Sequence, residues 1–123
     1  MTLQRKDEHS TEFGLWLRKQ PEIDSKKGWA ATNIDYMWTC WKTGKWMLLE
    51  EKRRGCKVSW SQQKLYDKVN LVCKNDKNYM GFHILTFENT SPDDGKIFWN
   101  DNEISKEQLI KILQLGYEVP RAR

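Results

Sequence analysis

The fold turns on Ile34-Asp35-Tyr36-Met37-Trp38-Thr39-Cys40-Trp41, then Lys42-Thr43-Gly44-Lys45, then Trp46-Met47-Leu48-Leu49-Glu50-Glu51-Lys52-Arg53. Two runs rich in aromatic and apolar residues flank a short polar break that holds a glycine, the pattern of a β-hairpin. The first strand is expected from Ala30 to Trp41 and the returning strand from Trp46 to Arg53. Side chains alternate along a strand, so Glu50 and Lys52 share one face while Glu51 points to the other. Asp35 stands inside an otherwise apolar run, where an ionised carboxylate is costly unless it is paired or bound to a cation. The hairpin brings its strand alongside that of Glu50. Two carboxylates and an ammonium can therefore converge.

Upstream, Phe13, Trp16 and Leu17 fall at i, i+3 and i+4, which predicts a helix from Ser10 to Gln20, capped by Ser10 or Thr11 and ended by Pro21. A polar loop runs on to Gly28. Downstream, a charged turn from Arg53 to Lys57 leads to Ser59, and Gln62 three residues later completes a capping box. The helix it opens buries Leu65, Val69 and Val72. Tyr79 to Phe87 reads as a third strand, Ser91-Pro92-Asp93-Asp94-Gly95 as a turn, Lys96 to Trp99 as a fourth strand and Asn100 to Asn102 as another turn. Ser105 with Gln108 caps a last helix carrying Leu109, Ile112 and Leu113, which Gly116 ends. The order α-β-β-α-β-β-α describes one α/β (or α+β) domain over residues 1–123, with a mixed sheet flanked by helices. Disorder is expected in roughly the first nine and last five residues.

A chain of 123 residues suits a single core. Lys and Arg number 21 against 17 Asp and Glu, a net charge of +4, which permits contact with a polyanion without demonstrating it. Mean hydropathy is −0.84, and no run approaches the ~20 apolar residues of a membrane span. The polar start, Met1 to Ser10, lacks the apolar centre of a secretory signal. Cys40, Cys56 and Cys73 are odd in number and without a CxxC pair, so reduced thiols and a cytoplasmic setting are expected. His9 and His83 are too few for a zinc cluster. His83 alternates with Phe82 and Ile84, as a polar-face strand residue would.

Paired carboxylates beside a lysine suit phosphodiester hydrolysis. Mg²⁺ takes oxygen ligands and usually only one or two protein carboxylates, keeping positions for water and phosphate. A neighbouring Lys can hold the attacking water or steady the charged transition state. The (D/E)xK pattern occurs at Asp24-Lys26, Glu50-Lys52 and Asp94-Lys96. Only the middle one ends an apolar strand and has a second embedded Asp at hairpin distance. Against it stands the plain reading, a charged loop after an ordinary strand.

Two further features carry a resemblance. Gln62-Gln63-Lys64-Leu65-Tyr66 opens the helix after the hairpin, with Gln62 and Tyr66 on one helical face, and Glu12 lies in the first helix. The order Glu12, Asp35, Glu50-x-Lys52, Gln62-x-x-x-Tyr66 resembles the core of PD-(D/E)XK nucleases with a QxxxY element. Its compact spacing is similar to that of archaeal Holliday-junction resolvases. The likeness covers residues 10–70, and it departs from the family in having Ile34 rather than Pro before Asp35. It implies a restriction-endonuclease-like fold and Mg²⁺-dependent cleavage of DNA, with Mn²⁺ able to substitute. Asp35 and Glu50 would hold the metal with help from Glu12, and Lys52 would be the catalytic cation. Arg53, Arg54, Lys57, Gln62 and Tyr66 would contact nucleic acid.

Each of these has a simpler reading beside it. Gln62 is already explained as a cap, Tyr66 as a half-buried aromatic, and Glu12 as a first-turn acid favoured by the helix dipole. Lys26 and Lys27 are a second basic pair or ordinary solvated charge. Trp60 is a base-stacking residue or a core staple. Cutting two strands needs two centres, so a homodimer is expected, with Phe82, Phe87, Phe98 and Trp99 as its contact. The rival function is a nucleic-acid-binding or protein-interaction domain that keeps the nuclease fold without its chemistry.

Overall fold

The hairpin closes where its glycine permits. Gly44 sits at φ +82, a conformation that side chains resist, and its N–H donates to the Cys40 carbonyl at 2.8 Å. The computed structural model describes residues 12–29 and 33–118. The disorder expected at the two ends, the cap at Ser10 or Thr11 and the start of the first strand at Ala30 lie outside the described residues. The chain divides into two units, Met1–Thr32 and Asn33–Arg123.

In the first unit, α1 spans Glu12–Arg18 and is followed by 3₁₀ turns at Pro21–Ile23 and Ser25–Lys27. Pro21 starts the first of these turns, as its fixed φ and missing N–H favour. Phe13 and Trp16 stack with ring centres 6.0 Å apart, yet they stay 65% and 53% exposed. The predicted apolar stripe exists and is not buried.

The second unit is built on β1 (Tyr36–Thr39), β2 (Trp46–Arg53), α2 (Trp60–Cys73), β3 (Tyr79–Phe87), β4 (Ile97–Trp99), β5 (Asn102–Ile104) and α3 (Lys106–Leu113). The sheet order is β1-β2-β3-β4-β5, with β2 and β3 parallel and the other pairs antiparallel. A parallel pair needs a crossover, which α2 supplies. Both predicted capping boxes form: Ser59 with Gln62, and Ser105 with Gln108.

Two boundaries differ from expectation. β1 starts at Tyr36, because the Asp35 N–H is taken by a side chain, and stops at Thr39, because the Cys40 carbonyl accepts from Thr43 and Gly44 to close the turn. Asn102, expected in a turn, begins β5. The turn itself is Asn100-Asp101, at φ 49 and 71, the doubly left-handed geometry of a tight two-residue hairpin.

Alternation and register sort the sheet into two faces. Met47, Leu49, Leu85, Phe87, Ile97 and Trp99 form one, covered by α3 and by Leu115 through two apolar clusters. Trp46, Leu48, Glu50 and Lys52 lie on the other with Phe82 and Ile84. There α2 covers the sheet: Tyr66 stacks on Phe82 at 4.6 Å, and the Tyr79 hydroxyl donates to Asn70 Oδ1 at 2.7 Å. No helix among the described residues is long and apolar enough to cross a membrane.

Candidate active site

β2 runs from fully buried Met47 to exposed Arg53, and its polar end carries the candidate residues. Register places Tyr36 opposite Leu49, so Asp35 continues the antiparallel pairing opposite Glu50. The Asp35 N–H donates to Glu50 Oε1 at 3.3 Å, and the Glu51 N–H donates to Asp35 Oδ2 at 2.9 Å. Each carboxylate thus caps the backbone of the neighbouring strand. Glu50 is 5% exposed and its Oε2 lies 3.5 Å from Lys52 Nζ. The predicted alternation holds: Glu51, on the opposite face, accepts from the Tyr36 hydroxyl at 3.4 Å and lies 3.7 Å from Arg53 Nε.

Asp35, Glu50 and Lys52 are therefore brought together. Glu12 is exposed at the start of α1, in the first unit, whereas those three belong to the second. No third His, Cys, Asp or Glu joins the pair to make a metal-holding group among the described residues. Two hard oxygen donors with an exposed Asp35 fit an ion that keeps most of its water, as Mg²⁺ does, and do not fit a cage made wholly of protein. Mn²⁺ prefers the same donors.

The expected nucleic-acid contacts divide. Arg53, Arg54 and Lys57 are exposed, with Arg54 paired to Glu88 at 3.0 Å. Gln62 is half-buried and returns its Oε1 to the Ser59 N–H at 3.2 Å, the capping role. Tyr66 is corrected outright: at 2% exposure, stacked on Phe82, it is a core residue that no polyanion reaches. Three of the four aromatics expected at a dimer contact are also corrected, while Phe98 is half-buried. Phe87 is buried, Trp99 packs against both apolar clusters, and Phe82 lies under α2. The large exposed aromatics lie elsewhere, with Trp41 and Trp60 the most open at 81% and 76%.

His83 proves to be part of a structural knot. Asn100 Oδ1 accepts from the Ile84 N–H at 2.9 Å, which turns its amide nitrogen toward His83 Nδ1 at 3.0 Å. Nδ1 is then the acceptor, and Nε2–H donates to the Met80 carbonyl at 2.8 Å. The ring stacks on Trp99 at 4.8 Å. Between Met80 and His83 the strand bulges at Gly81, φ +106, where a Cβ would come within 2.8 Å of the imidazole. Sequence reading missed this network. Its one local signal is Asn100-Asp101, a pair that tolerates left-handed backbone.

Set against protein-family models, curated proteins and solved structures, the chain matches none.

Proposed function

We propose that the chain is a metal-dependent nuclease acting on DNA, with a restriction-endonuclease-like core and its centre at Asp35, Glu50 and Lys52. The observation that carries this reading is Glu50, a carboxylate 5% exposed in the middle of β2, held between the Asp35 amide and the Lys52 ammonium. Burying a charge is costly, and a protein retains one inside a sheet where it is paired or has chemistry to perform. Bound Mg²⁺ would acidify a water and offset the charge that builds on phosphate. Asp35 and Glu50 would hold the ion, the Asp35 N–H orients the Glu50 carboxylate, and Lys52 supplies a fixed positive charge for the phosphate oxygens. Exposed Arg54 and Lys57 carry further positive charge into the loop that follows β2, while Arg53 lies on the opposite face beside Glu51.

The test is incubation with labelled duplex, single-stranded and branched DNA, with Mg²⁺ and with EDTA. Cleavage in Mg²⁺ alone, lost in Asp35→Asn, is the expected outcome; intact DNA in all three forms rejects the reading.

A second reading is favoured by the reciprocal capping of Asp35 and Glu50. Hydrogen bonds to Glu51 and Asp35 amides give both carboxylates a purely structural purpose, tying β1 to β2. A binding domain that keeps the fold without cleavage would use them so. It predicts DNA binding without cutting in Mg²⁺, and an Asp35→Ala variant that melts earlier.

A further inference from the structure

Trp60 is the first residue of α2 and is 76% exposed, belonging to neither apolar cluster. Lys64 Nζ lies over its ring, 5.1 Å from the centroid. Residues four apart stack along one side of a helix, so Trp60, Lys64 and Lys68 form a stripe on the outer side of α2, opposite the face that buries Tyr66. All three are exposed, and neither lysine makes an ion pair with a described residue. Lys57, also exposed, lies just ahead of the helix. The one acidic residue of α2, Asp67, is exposed on the same side beside Lys68 and accepts from Gln63 Nε2 at 2.8 Å, so the lysines and Lys57 outnumber it three to one.

We propose that this stripe binds single-stranded nucleic acid, with an unpaired base stacked on Trp60 and the backbone phosphates following Lys64 and Lys68. From Trp60 to Lys68 the helix rises about 12 Å, enough to follow a short run of nucleotides. An indole face offers sequence-tolerant stacking to any base that is free to meet it, whereas bases inside a duplex already have both faces covered. Charge decides between a nucleic acid and a protein partner. Protein–protein interfaces are depleted in lysine, most of all at their cores, while this Trp is bordered by lysines. Leu71 and Val72, both exposed although Val72 was expected in the buried stripe, are the apolar exceptions and lie about 16–18 Å along the helix from Trp60. As a statement of what a nuclease here would cut, the proposal rests on the reading above; as a statement of binding, it stands on α2 alone.

Fluorescence anisotropy of a labelled twelve-nucleotide oligothymidine, in EDTA at low salt, tests it with the full chain. Trp60→Ala is expected to weaken binding roughly 5- to 100-fold, the size of one stacked base, while Trp60→Phe keeps most of the affinity and duplex binding is unchanged. Lys64→Gln with Lys68→Gln should reduce the magnitude of the single-strand salt slope by about 1.4. Unchanged affinity in Trp60→Ala, or an equal loss on duplex, overturns the proposal. So does an oligothymidine that fails to bind at all, which would leave the exposed indole to a protein partner. Binding that follows these variants in a chain that cuts nothing in Mg²⁺ keeps the stripe and sinks the nuclease reading. Cleavage with a Trp60→Ala variant that binds normally does the reverse.

Discussion

Glu50 and Lys52, two residues apart on β2, form an ion pair of 3.5 Å whose side chains are only 7% and 16% exposed. Strand alternation puts them on one face, and both are largely shielded from water. A pair so placed is far more costly to break on one side than to replace on both.

Glu50→Gln keeps the acceptor for the Asp35 N–H but leaves the ammonium without its partner, so a loss of about 1–3 kcal/mol is expected in urea denaturation. Adding Lys52→Met should restore most of it. A single variant as stable as the wild type would show that the pair contributes nothing. In the nuclease reading, both Glu50→Gln and Asp35→Asn lose Mg²⁺-dependent cleavage, and near wild-type rates in either would remove that residue from the centre.

Arg53 and Arg54 are exposed and carry surface ion pairs to Glu51 and Glu88. Such pairs contribute about 0–1 kcal/mol, so Arg53→Ala with Arg54→Ala should fold normally. If they meet phosphates, the salt dependence of duplex binding should flatten by about 1.8 in log–log slope. An unaltered slope in a filter-binding titration would place duplex DNA on another surface.

Tyr79 has its phenol pushed up to about 12, first by burial and then by the electrostatic effect of the neighbouring Cys73. A raised pKa in the folded state means the native protein keeps a proton that the unfolded chain releases near 10. Its contribution is therefore whole below pH 10 and is lost as pH rises through about 12. Absorbance at the phenolate band should show one tyrosine ionising late, and Tyr79→Phe should remove that component. If the late step survives the substitution, the assignment fails.

Asn100 joins a left-handed turn position to bonds with Ile84 and His83. Asn100→Gly preserves the backbone and loses the side-chain bonds; Asn100→Ala loses both. Thermal melts should order the three as wild type, Gly, Ala, with the Ala variant down by about 2–3 kcal/mol. Equal melting of the Gly and Ala variants would show that turn geometry is not part of the effect.

Self-association is the remaining expectation, since cutting two strands at once needs two centres. Exposed Tyr36, Met37 and Trp38 on β1 are one apolar surface of the second unit and stand in for Phe82, Phe87 and Trp99, which are buried or packed. Light scattering should give twice 14.7 kDa, and Met37→Lys should reduce it. A mass of one chain in both would end the dimer.

Much of this was readable from local order. The Gly44 hairpin, both capping boxes and the shared face of Glu50 and Lys52 follow from periodicity and turn chemistry within a few residues of chain. The mixed α/β character and four of the six apolar inward positions of β2, β3 and β4 were legible for the same reason: Met47, Leu49, Leu85 and Ile97 sit in strand-like runs, whereas Phe87 and Trp99 were expected at a dimer contact. What could not be read depends on partners far along the chain. Nothing near Tyr66 announces that Phe82 will cover its ring, and nothing near His83 announces that Asn100 will fix its tautomer. β5 was missed because Asn102 and Glu103 are polar and find strand geometry only by pairing with β4. The sequence alone determined which residues Asp35, Glu50 and Lys52 are and that the latter two share a face. Tertiary structure decided that Glu50 is buried and Asp35 exposed, because burial is a property of what folds over a residue. Trp38 shows the distance involved, its indole N–H ending on the carbonyl of Leu113, 75 residues away.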